Sequence, residues 1–232
     1  MRRLGILSIT MALLVTCLPA AQGEILDRII AVVNNTPIML SDWDEAWRCE
    51  ALLAGRAPES YSDVEQREIF DRLVDQELLG QQMRTYLLAP VTPAEVQERL
   101  ADVRKQLAKG SDAQWLELLQ QSGVTESELS EHLRRELEIE HFVDVRFRAG
   151  IRIEERAVYH YYRDEFLPQL RSAGGENVPL EKVSGKIREI LTQQRLNEQL
   201  SGWIQTLREQ AEIRIAPEMK ANSQDVEVTL NQ

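Results

Sequence analysis

The feature that most constrains this chain is the placement of its β-forming residues at two ends, with almost everything between them patterned as helix. Arg28 to Val33 is rich in β-branched residues, Asn34-Asn35-Thr36-Pro37 supplies turn chemistry, and Ile38 to Leu40 makes a short second strand. Toward the other end, Glu212 to Ala216 reads as one more short strand. A lone hairpin is only marginally stable in water. The pattern therefore predicts that the third strand lies beside the first two and clips the ends of the chain together. The fold class expected is mainly α, with a small antiparallel sheet formed by an N-terminal hairpin and a C-terminal strand.

Between these ends, helix starts repeat. Ser41 with Asp44 three residues on resembles a capping box and opens a helix carrying Trp43, Trp47, Leu52 and Leu53. Ser62 with Glu65 opens a longer helix with Ile69, Phe70, Leu73, Val74 and Leu78 on one stripe. Thr92-Pro93-Ala94-Glu95 joins an N-cap, a first-turn proline and a box glutamate. Ser111 opens a helix around Trp115 that Gly123 closes, and Thr125 with Glu128 opens one carrying Leu129, Leu133, Leu137 and Val145. After Gly150 comes a short extended piece, then a helix with Val158, Tyr161 and Tyr162. Pro168 and Ala173-Gly174-Gly175 mark a loop. From Glu181 to Gln210 the apolar residues recur at helical spacing.

The first residues have the layout of an export signal. Arg2 and Arg3 form a positive start, Leu4 to Leu18 is mostly apolar, and Ala21-Gln22-Gly23 offers small residues for cleavage. The apolar run is shorter than the ~20 residues a membrane span needs. Leu14-Val15-Thr16-Cys17 resembles a lipoprotein box but places Thr where a smaller residue is usual, so lipidation stands as the lesser alternative. Cleavage before Glu24 predicts a periplasmic protein with no stable membrane insertion. It removes two basic residues, so the net charge moves from −11 to −13. Such a surface excludes nucleic acid as a partner, because phosphate binding needs clustered Lys and Arg. Cleavage also leaves Cys49 alone, so no internal disulfide can form, and burial in the first helix is the expected fate of that thiol.

The hydrophobic strand, Asn-Asn turn, short strand and Ser-Asp helix start of residues 26 to 45 resemble the opening of the SurA-like periplasmic chaperones. The similarity runs from about Ile25 through Ile153 and resumes in Val183-x-x-Lys186-Ile187-x-x-Ile190-Leu191 through Trp203-Ile204-x-x-Leu207-Arg208, followed by Glu212-Ile213-Arg214-Ile215. The resemblance implies the peptide-binding helical core of the trigger-factor and SurA type. In that family a parvulin-type prolyl isomerase domain is inserted after the Tyr-Tyr-containing helix, which corresponds here to Tyr159 to Phe166. An independent domain needs roughly a hundred residues, and only the loop from Leu167 to Pro179 is available. What the resemblance implies is thus client binding without the family's enzymatic activity. The divisions expected are residues 1–23 as signal peptide, 24–153 as the N-terminal core, 154–179 as the helix and loop where the family carries its insert, 180–216 as the closing helix and strand, and 217–232 as a disordered tail.

No catalytic set, cofactor or metal site is legible. His132, His141 and His160 lack zinc-ligand spacing, and solvated or capping roles are expected for them. The glutamates from Glu126 to Glu140 read as a solvated acidic face, since a catalytic carboxylate pair needs environments that split two pKa values. The functional candidate is apolar surface. Met39, Trp43, Trp47 and Met83 fall where the resemblance places the client groove, and Trp and Met suit a surface that accepts many sequences. Ile187, Leu191, Leu200, Trp203 and Leu207 are the residues expected to clip the C-terminal helix to the core. The function expected is an ATP-independent periplasmic chaperone for unfolded outer-membrane or secreted polypeptides. The alternatives are a dedicated assembly subunit for one exported partner and a degenerate prolyl isomerase. A monomer is compatible with this reading, as is a dimer that exchanges C-terminal helices about Ala173-Gly174-Gly175.

Overall fold

A computed structural model describes residues 27–217 and 219; the expected signal peptide and all but the start of the expected tail lie outside them. The chain opens with β1 (Ile29–Val33) and β2 (Thr36–Met39) and continues through α1 (Leu40–Leu53), α2 (Asp63–Met83), α3 (Pro93–Ala108), α4 (Asp112–Ser122) and α5 (Glu126–Phe147). Then follow α6 (Glu155–Tyr161), α7 (Leu167–Ser172), α8 (Leu180–Gln210) and β3 (Ile213–Ile215). The three strands form one antiparallel sheet in the order β2-β1-β3, so the third strand closes the chain against the first as the sequence predicts.

Asn34 and Asn35 turn the hairpin with φ of 48° and 72°, the left-handed region that asparagine tolerates better than most residues. Asn34 also fastens the ends of the fold. Its N–H donates to Glu212 O at 3.0 Å, its Oδ1 accepts from Glu212 N–H at 2.9 Å, and its Nδ2 donates to Gln81 Oε1 of α2 at 2.9 Å. Gln81 in turn donates to Val33 O at 3.0 Å. One turn residue thus ties hairpin, closing strand and α2 together.

Local signals set most helix starts. Ser62, Thr92 and Thr125 each accept from the backbone three residues on, while Glu65, Glu95 and Glu128 reach back to the capping residue, completing three reciprocal boxes. Ser111 caps α4, and Gly123 ends it at φ 64°. The start of α1 differs from expectation. Its cap is Met39, whose N–H donates to Asp42 Oδ2 at 2.8 Å, whereas the Ser41 hydroxyl is taken by the Asp27 carboxylate. A competing acceptor earlier in the chain redirected the serine.

Two apolar clusters organise the helices. The first joins the sheet, α2, the second half of α5 and the end of α8 around Ile30, Val33, Phe70, Val74, Phe142 and Leu207. The second joins α1, α3, α4 and the first half of α5 around Cys49, Leu52, Leu100, Trp115, Leu129 and Leu133. At 31 residues α8 is about 46 Å long at 1.5 Å per residue. It is in contact with α6, α5 and α2. Leu207 is buried and Leu200 and Trp203 are half-buried against the first cluster. Trp203 lies between Phe142 and Phe147 at centroid distances of 5.7 and 5.5 Å, with the Arg146 guanidinium 4.3 Å over its ring. Ile187 is buried outside both clusters, on the helix that meets α6, and Leu191 is half-buried. Arg208 of α8 donates to Asp75 at 2.5 Å and to Asp71 O at 2.8 Å, locking the helix onto α2.

The segment expected as a loop from Leu167 is helical to Ser172. Tyr162–Phe166 forms a π-helical turn between α6 and α7, so backbone dihedrals stay helical across the whole stretch. A widened turn just before Pro168 accommodates the proline, which lacks an N–H and crowds the preceding turn of an ordinary helix. Gly174, at φ 74°, and Gly175, whose N–H donates to Leu170 O at 2.9 Å, then terminate α7. The Ala173-Gly174-Gly175 segment expected as a hinge is an exposed helix end, where a Cβ on Gly175 would come within 2.5 Å of Leu170 Cδ1. The expected tail also begins in order, with Met219 packed on the first cluster and its carbonyl held by Arg67.

Asn34→Gly keeps the turn and removes both side-chain bonds to strand and helix, so it should cost about 1–2 kcal/mol, read as a lower urea midpoint; an unchanged midpoint would remove Asn34 from its fastening role. The Glu65 carboxyl is held down to about 2, first by the Arg56 guanidinium at 2.6 Å and then by the Ser62 N–H and hydroxyl. Because the folded value lies below the ordinary 4.5, this contribution is present above that pH and is lost as pH falls toward 2. Glu65→Gln should therefore melt lower than the natural protein at pH 7 and converge with it near pH 2; a constant gap across that window would contradict the assignment.

Candidate client-binding cleft

Where the sheet, α2 and α5 meet, the packing leaves an open cleft of about 390 Å³. Its apolar lining comes from Pro37 and Ile38 of β2, Leu73 and Met83 of α2, and Ile139 of α5. Gly80 lies among them, on the α2 wall. A Cβ placed there would meet only Arg84 Nη1, at 3.8 Å, so the glycine borders open space. Glycine inside a helix costs roughly 1 kcal/mol relative to alanine. At Gly80 the effect is a wall without a side chain, which a three-to-four-residue spacing of larger residues would otherwise have filled.

The rim is polar and internally paired. Arg134 bonds both Glu131 and Glu138, which raises it above its ordinary value, Glu131 being the larger influence. Arg135 reaches Glu45 of α1 at 2.7 Å, Glu77 lies 3.3 Å from Arg84, and Asp42 caps α1. Partial exposure screens these pairs, so they serve to hold the rim in one arrangement more than to add stability. The lining thus combines an apolar floor, a rim of mostly ion-paired charges with Asp42 held by a backbone N–H, and the carbonyl and amide groups of Gln76. It can receive an apolar side chain and bond the backbone beside it.

On the other flank of α5 a second cleft of about 450 Å³ opens toward α8. It is lined by Val143, Asp144, Arg148, Asn197 and Leu200 among others, and Ile139 borders both clefts.

Of the four candidates read from the sequence, the structure brings Met83 to the first cleft. Met39 is half-buried at the start of α1, with its side chain outside the lining. Trp43 packs on the first cluster and donates from Nε1 to Gln66 O at 3.2 Å. Trp47 stacks on Trp43 at 5.9 Å, and its buried Nε1 has no partner. Sequence reasoning missed Ile38, Gly80 and Ile139. An unexplained glycine in a helix of good formers was the one available signal.

The histidines, the α5 glutamates and Cys49 lie in different surroundings. His132 is not solvated: at 4 % exposure it lies on the buried stripe of α5 with Leu129 and Leu133, its Nε2 3.5 Å from Glu136 without a hydrogen bond. His141 and His160 are half-exposed beside Glu95 and Asp164. The glutamates of α5 are exposed or half-exposed, as expected of a solvated face, and two of them also accept hydrogen bonds, Glu126 from Trp115 Nε1 at 2.7 Å and Glu140 from Arg99 at 2.7 Å. Cys49 is buried in the second cluster, and burial pushes its thiol up to about 12. Among the described residues no group of three His, Cys, Asp or Glu is placed to hold a metal ion, and no described helix is long and apolar enough to cross a membrane.

The architecture defines a helical domain whose ends are clipped by a small sheet and whose open cleft lies beside that clip. Residues 4–143 match the SurA-like N-terminal domain family, and the chain belongs to that family. No curated protein matches it. Membership of the family points to a chaperone-type function with polypeptide clients.

Proposed function

We propose that this protein is an ATP-independent chaperone of the periplasm, which holds unfolded outer-membrane or secreted polypeptides and acts without prolyl isomerisation. The observation that carries the reading is the cleft at Gly80, with its apolar floor of Ile38, Leu73, Met83 and Ile139 and its charge-paired rim. Segments of an unfolded β-barrel alternate apolar and polar residues, so they present an apolar side chain to such a floor and polar groups to such a rim. A single cleft of this size gives modest affinity. A micromolar dissociation constant corresponds to about −8 kcal/mol, weak enough for release by dilution or by a competing partner, with no nucleotide required.

Diluting a urea-unfolded β-barrel protein into buffer, with and without the chain from Glu24 onward, tests the proposal by light scattering. Near-stoichiometric amounts should suppress aggregation. Gly80→Leu, which fills the cleft from within a helix, should lose at least tenfold in potency while retaining the circular dichroism of the natural protein. No suppression by the folded natural protein would sink the chaperone reading and favour a subunit dedicated to one partner. Equal potency of Gly80→Leu would move binding away from this cleft.

A further inference from the structure

The two outer edges of the sheet are built differently. On β2, Thr36 and Ile38 bond toward β1, which turns the backbone of Pro37 and Met39 outward. Pro37 has no N–H, and that of Met39 is taken by Asp42 at 2.8 Å. The β2 edge therefore offers no free donor, the usual way in which a sheet blocks further pairing. On β3, the bonds from Asn34 N–H to Glu212 O and from Ala216 N–H to Ile30 O bracket the strand, so Arg214 bonds toward β1. The N–H and C=O of Ile213 and Ile215 face outward and have no partner among the described residues. One edge is closed and the other is ready to pair.

Farther along the chain, residues 225–230 read Asp-Val-Glu-Val-Thr-Leu, alternating apolar and polar as a half-buried strand does. The β3 edge has a matching pattern. Ile213 and Ile215 pack on the first cluster, and Arg214 between them is 63 % exposed, its nearest carboxylate being Glu212 at 3.4 Å. An antiparallel strand with Glu227 beside Arg214 sets Val226 beside Ile215 and Val228 beside Ile213. Apolar side chains then lie over the core, opposite charges meet on the outer face, and the amides of Val226 and Val228 reach the two outward carbonyls. The route is short. The chain already turns after β3, with Met219 N–H bonded to Ala216 O at 3.0 Å, and five residues span up to roughly 17 Å.

We propose that residues 225–230 of the same chain pair antiparallel with the outer edge of β3, making a fourth strand with Glu227 opposite Arg214. This holds whether or not the cleft takes clients, and it replaces the disordered tail expected from composition.

Hydrogen exchange on the full chain from Glu24 onward tests it. The amides of Ile213, Ile215, Val226 and Val228 should exchange at least tenfold more slowly than the same sequences unstructured. Val228→Pro should restore fast exchange at Ile213 and Ile215 without altering the helices. Arg214→Glu should weaken the protection, and the double variant Arg214→Glu with Glu227→Arg should recover it. Exchange of residues 225–230 at the unstructured rate in the natural protein would overturn the proposal. So would protection that appears only at high protein concentration, because it would assign the strand to a second copy.

Discussion

The pairing of β3 with β1 is the constraint on which the rest of the molecule depends. Three short strands persist when an apolar face packs on helices; here that face lies on the first cluster, and Asn34 joins the turn, the closing strand and α2 at a single point. With β3 anchored, the end of α8 is delivered to the first cluster, where Leu207 is buried and Trp203 fills the space beside Phe142. Without it, Arg208 and the contacts with α2, α5 and α6 would have to hold the end of α8 against the first cluster unaided. The closure is therefore cooperative: a long-range strand pair fixes a long helix, and the helix completes the core that supports the sheet.

The cleft is a by-product of that arrangement. Two clusters, one under the sheet and one among α1, α3 and α4, are bridged by α5, and by α1 through Trp43. On its way between them α5 leaves α2, and Gly80 keeps the gap open where a larger residue would close it. A chaperone needs apolar surface that does not collapse onto itself or recruit other copies. Here the apolar floor is recessed, and most rim charges are already paired with neighbours, which lowers their pull on other protein surfaces.

Much of the fold was legible because its signals are local or periodic. The boxes at Ser62, Thr92 and Thr125 are three-residue patterns that need no tertiary context, and the β residues at two ends could be satisfied only by meeting each other. What escaped depends on distant groups. Asp27 diverts Ser41 and shifts the start of α1, and a π-helical turn lets the chain pass Pro168 in helical geometry, which composition reads as a stop. His132 was legible in principle, lying three residues beyond Leu129 on the same stripe, but residue type outweighed position. The cleft was mostly hidden because it belongs to no element. Met83 fell inside it, whereas Trp43 and Trp47 proved to be a packed pair on α1, large apolar residues being at least as useful for closing a core as for opening a site.

Site-resolved capture of a client is the most direct measurement of all. A photo-crosslinking residue placed at Met83, in the cleft, and another at Leu116, 61 % exposed on the distant α4, would each be irradiated with a urea-unfolded β-barrel protein diluted into buffer. Strong capture at position 83 with little at 116 is the result that binding in the cleft predicts. Equal capture at both positions, or none at 83 from a correctly folded chain, would contradict it.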